Sequence, residues 1–115
     1  MRDIFNDLVF LGRIEKEVKL FGKKWTLSTL TAEQQVEATA ATSDLEAIAR
    51  VNALKIQILS KSLKKINDIE FIDEREALEV VSGLQLPVVN ALFTEYESVQ
   101  REQDEKLKDL DELKN

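Results

Sequence analysis

In the stretch Val18-Lys19-Leu20-Phe21-Gly22-Lys23-Lys24-Trp25-Thr26-Leu27 the apolar period of the chain is two rather than helical. Ile14, Val18 and Leu20 alternate with Arg13, Glu15, Glu17 and Lys19, and Trp25 and Leu27 alternate with Lys24, Thr26 and Ser28, as in strands with one buried face. Gly22-Lys23 fits a two-residue hairpin loop with glycine in the first central position. That register sets Phe21 opposite Lys24, Leu20 opposite Trp25, Lys19 opposite Thr26, and Val18 opposite Leu27, so the apolar side chains share a face. A hairpin over residues 13–30 is therefore expected. Alone in water it would be marginal, so the face carrying Trp25 must pack on helices or on another chain.

Outside this stretch the pattern is helical. Before it, Ile4, Leu8 and Leu11 lie on one helical stripe with Phe5 and Val9 beside it, between a capping Asp3 and Gly12. These residues hold more apolar surface than a lone surface helix needs. They either pack on the domain or form an arm that docks on a partner.

After the hairpin, Thr31 with Gln34 has capping-box spacing and opens a helix over Ala32–Thr42, poor in large apolar residues. Ser43 with Glu46 repeats the spacing and opens a longer helix to about Ile66. Its stripe of Leu45, Ile48, Ile56, Leu59, Leu63 and Ile66 suits the central helix of a bundle. Asn67-Asp68 ends it, Ile69-Glu70-Phe71-Ile72 is an extended linker, and Asp73 with Glu76 caps a helix from Glu74 to Ser82 that Gly83 terminates. Pro87 then suits the first turn of the last helix.

That last helix changes character midway. Val88, Val89, Leu92, Phe93, Tyr96 and Val99 form a dense apolar face, whereas only Leu107, Leu110 and Leu113 interrupt the charges beyond Gln100. Running from Pro87 to Asn115 it would extend roughly 43 Å, more than a small domain needs. The spacing of the three leucines keeps them on one side, so the tail projects, frays, or pairs with a partner helix. Leu107, Leu110 and Leu113, with Phe93, Tyr96 and Trp25, are the candidate partner contacts.

The expected fold is mainly α: a small helical bundle with one N-terminal β-hairpin and a long C-terminal helix. Residues 1–100 form a single helical domain and 101–115 a charged helical tail. A length of 115 residues suits one domain, and only 3 Gly and 1 Pro interrupt the helix formers.

Composition narrows function by exclusion. Cysteine and histidine are both absent, which removes disulfides, thiolate and imidazole metal sites, and Cys–His nucleophiles. Most carboxylates fall at caps and on solvated faces, where nothing is expected to shift them towards neutrality. The glycines stand singly, without a phosphate-cradling loop. No catalytic, cofactor-binding or metal-binding residue is expected, and no enzyme activity. A net charge of −6 repels phosphate backbones, so nucleic acid is not an expected partner. No segment approaches a membrane span, and the N-terminal residues lack the apolar run of a signal peptide. The chain is thus expected in the cytoplasm, acting by holding other proteins.

One resemblance sharpens this. Phe10-Leu11-Gly12-Arg13-Ile14, Val18 through Thr31, Glu33-Gln34, and Leu54 through Ile72 resemble small tail-assembly proteins of tailed bacteriophages, the tail assembly chaperones and related baseplate hub assembly proteins. The similarity spans about Phe10 to Ile72. Glu70-Phe71 departs from the Asp-Gly ending frequent in that family. The resemblance implies a non-enzymatic role in tail morphogenesis, with tape-measure, tube or baseplate components as partners and homo-oligomers as a further option. The location implied is the cytoplasm of the infected host, or the virion tail for a subunit retained there. It carries over no individual functional residue.

Overall fold

The computed structural model describes residues 2–112. The described residues form α1 (Arg2–Val9), β1 (Glu15–Leu20), β2 (Lys23–Ser28), α2 (Ala32–Ala40), α3 (Ala47–Ser62), β3 (Leu63–Ile66), β4 (Ile69–Glu70), α4 (Glu74–Ser82) and α5 (Leu86–Glu112). The four strands make one antiparallel sheet in the order β1-β2-β3-β4. With 61% helix and 17% strand, the chain is mixed α/β. This corrects the expected helical bundle with a single hairpin.

The correction has a definite place. The third helix does not run to Ile66 but stops at Ser62, and Leu63-Lys64-Lys65-Ile66 turns into a strand beside β2. Trp25 pairs with Ile66, Thr26 with Lys65, and Leu27 with Leu63, with a bulge between Thr26 and Leu27. Ile69-Glu70, expected as linker, closes a second hairpin on β3. Asn67 turns that hairpin at φ 56°. It also docks it on the first hairpin, its Oδ1 accepting from Lys24 N–H at 3.0 Å and its own N–H donating to Lys24 C=O at 2.6 Å.

The first hairpin forms, but its loop is Phe21-Gly22. Val18 faces Trp25, Lys16 faces Leu27 and Leu20 faces Lys23. Phe21 and Gly22 have φ of 54° and 74°, the two positive angles a type I′ turn requires, whose twist matches the strands. The expected register differs from this one by two residues. Such a shift keeps every side chain on its original face, so alternation cannot separate the two. Trp25 helps fix the actual one, its indole N–H donating to Leu20 C=O at 3.0 Å.

Val18, Trp25, Leu27, Ile58, Leu59, Leu63, Val81, Val89, Leu92 and Tyr96 form the core between sheet and helices. Only the second half of α3 enters it; Leu45 and Ile48, expected on its buried stripe, are exposed. The Ser43–Glu46 box does not form: Glu46 sits at the N-cap without a side-chain bond, and Ser43 Oγ donates to Ala40 C=O. The Thr31–Gln34 box forms in both directions, and Asp73 caps α4. Lys61 fastens α3 to its neighbours. Its Nζ meets Glu37 of α2 at 2.9 Å and Glu74 of α4 at 3.3 Å, with the lysine side chain 9% exposed and both glutamates half-exposed.

Candidate functional site

The largest run of exposed apolar side chains among the described residues starts at α1. Asp3 lies in its first turn, and the chain leaves it through a tight turn ending at Gly12, φ +79°. Ile4, Phe5, Leu8, Val9, Phe10 and Leu11 are all 56–65% exposed. An eight-residue helix with no strong packing is too short to hold itself together by propensity alone. Of the two sequence readings of this segment, packing on the domain is the one its side chains do not follow.

The arm is nonetheless anchored where it joins the sheet. The Arg13 guanidinium sits 5.6 Å from the Phe10 ring centroid, donates to Ser28 Oγ at 3.3 Å and pairs with Glu15 at 3.2 Å. Ile14 N–H donates to Thr29 Oγ1 at 3.1 Å. From the far end of the chain, Gln103 Nε2 donates to Gly12 C=O at 3.2 Å, and a Cβ on Gly12 would lie 2.9 Å from Leu107 Cδ2. Lys16 and Glu102 pair at 2.6 Å in solvent, and the hydrogen bond to Glu102 raises the pKa of Lys16. The tail is thus tied to the base of the arm as far as Leu107.

Between arm and domain lies an open cleft of about 670 Å³. Val9, Phe10 and Leu11 form one wall, Leu30 and Ala32 supply further apolar surface, and Arg13, Lys64, Glu33 and Gln103 supply polar groups. No part of it was legible as a site in sequence, because its walls come from segments far apart along the chain. The one available signal was the excess of apolar residues between Ile4 and Leu11.

Of the sequence-selected contact residues, Trp25, Tyr96 and Phe93 gather at the core rather than on an exposed face. Trp25 and Tyr96 are buried in the core, and burial raises the Tyr96 phenol's pKa. Phe93 is partly buried against that core, 5.7 Å from Tyr96 between ring centroids and under the Lys55 ammonium. Leu107 and Leu110 are each 38% exposed. Leu113 lies outside the described residues.

Among the described residues no group of three or more acidic side chains is arranged to hold a metal ion. No helix among them is long and apolar enough to cross a membrane. Compared with known protein families, curated proteins and solved structures, the chain matches none.

Proposed function

We propose that this protein works by docking other protein chains, without chemistry of its own, through the α1 arm and the cleft beside it. The observation that carries this reading is the run of six large apolar residues more than half exposed on one short arm. Each contributes about 100 Å² and the set on the order of 600 Å², given the size of such side chains. That is the upper end of what a monomer usually exposes, and patches of this size commonly mark interaction sites.

The biological setting we propose is bacteriophage tail morphogenesis in the cytoplasm of the infected host, with tape-measure, tube or baseplate components as partners. Its support is the sequence resemblance over Phe10 to Ile72. A net charge of −6 argues against nucleic acid as the partner. The test is affinity capture of a tape-measure, tube or baseplate protein by the full chain and by its Leu8→Asp variant. Capture that Leu8→Asp abolishes supports the proposal; no capture of any tail component overturns it. Mass spectrometry of finished particles then separates an assembly chaperone, absent from them, from a structural subunit that stays.

A further inference from the structure

We propose that in the free protein, before a tail component takes the arm, the arm is covered by a second copy of this chain, each α1 lying in the cleft of the other to give a two-fold dimer. This rests on the reading of the arm as a protein-docking surface. Each chain carries both halves of the contact, a helix with an uncovered apolar face and an open cleft floored by Leu30 and Ala32. One chain cannot use both at once. Val9, Phe10 and Leu11 already form the cleft's wall, so α1 cannot fold back into the space that its own end encloses. A second copy meets no such obstacle, and the contact it makes is returned by symmetry.

Charge favours the same occupant. Asp3 and Asp7, four residues apart, share one edge of α1. The cleft presents Lys64, beside an Arg13 already paired with Glu15, against the carboxylate of Glu33. An acidic-edged helix laid beside Lys64 gains on-rate and register. A lipid surface is a poorer fit, because interfacial helices are rich in Lys and Arg on their polar face, whereas α1 has Arg2 alone against Asp3 and Asp7. The area agrees as well. A stable dimer buries about 800 Å² per partner. The arm's roughly 600 Å² approaches this once Leu30 and Ala32 of the cleft and the partly exposed Leu107 beside Gly12 are added.

The experiment is sedimentation equilibrium of the full chain from micromolar to hundreds of micromolar. The expected result is a monomer–dimer equilibrium that Leu8→Asp shifts to monomer while the circular dichroism of the fold is kept. Because Leu8→Asp removes apolar area whatever the geometry, a charge pair adds a check on placement. Asp7→Lys should weaken the dimer about tenfold, and adding Lys64→Glu should restore it. A monomer at every concentration overturns self-docking, and leaves the docking of tail components to its own capture test. A dimer indifferent to both Leu8→Asp and Asp7→Lys overturns it too, as does an arm that binds zwitterionic lipid vesicles while the chain stays monomeric.

Discussion

The Ser62 hydroxyl takes the place of a backbone group opposite Ser28: it donates to Ser28 C=O at 2.6 Å and accepts from Ser28 N–H at 3.2 Å. Both residues are buried. At this point α3 becomes β3, and the ladder between β2 and β3 would otherwise leave a buried N–H and a buried C=O unpaired.

Ser62→Ala should therefore destabilise the protein by roughly 2–4 kcal/mol, the cost of two buried polar groups left without partners. Ser60→Ala is the control. Its hydroxyl donates only to Gln57 C=O one turn back in the same helix, so its loss should cost under about 1 kcal/mol. Urea unfolding measures both, and equal effects would remove Ser62 from this role.

The same junction explains what sequence could and could not convey. Leu59, Leu63 and Ile66 continue helical spacing, and neither Gly nor Pro marks the change at Ser62. The switch to strand is decided by tertiary pairing with Trp25 and Leu27, which overrides local propensity. The first hairpin was legible because its alternation and turn glycine agree, whereas its register was not, since a two-residue shift preserves the faces. The caps at Thr31 and Asp73 were legible because capping is local. The arm's apolar excess was visible, but its exposure depends on what the rest of the chain leaves uncovered.

Phe21 gives a prediction of opposite sign. It is a non-glycine residue held at φ 54°, and its side chain is 61% exposed. The left-handed conformation costs such a residue roughly 1–2 kcal/mol, and little burial offsets it. Phe21→Asn would place Asn-Gly in a type I′ turn and should stabilise the fold by about 0.5–1 kcal/mol. A lower melting temperature would mean that the ring packs usefully after all.

Lys61 sets an alkaline limit. Burial lowers the pKa of its ammonium, but hydrogen bonds and charge from Glu37 and Glu74 outweigh this, and the folded value lies above the usual 10.5. A group whose pKa rises on folding adds stability that is complete below its unfolded pKa. That stability is lost as pH climbs through the folded value. The wild type should exceed Lys61→Met by on the order of 1–2 kcal/mol at neutral pH, and the gap should narrow above pH 10.5. A gap that stays constant through that window would show that the lysine contributes by packing rather than charge.

The tail and the base of the arm are held by the same contacts. Deleting residues 102–115 removes the Lys16–Glu102 pair, the Gln103–Gly12 hydrogen bond and the Leu107 contact on Gly12. The ion pair is solvent-exposed and contributes under about 1 kcal/mol. Leu107 is partly buried and adds about 1 kcal/mol. Core residues Leu59, Leu92 and Val99 all precede the cut, so the loss should stay near ~1–2 kcal/mol, a fall in melting temperature of roughly 5–10 °C for a domain this small. Local behaviour should change more. Without Gln103 and Leu107 the base of the arm keeps the Arg13 contacts and the two Ile14–Thr29 hydrogen bonds. Amide exchange from Phe10 to Ile14 should therefore quicken while exchange around Leu59 stays slow. Gly12→Ala provides an independent route to the same effect. At φ +79° a Cβ is strained, and at 2.9 Å from Leu107 Cδ2 it would push the leucine aside. If neither change alters exchange at the arm while the truncation lowers stability globally, the tail belongs to the core rather than to the arm's anchor.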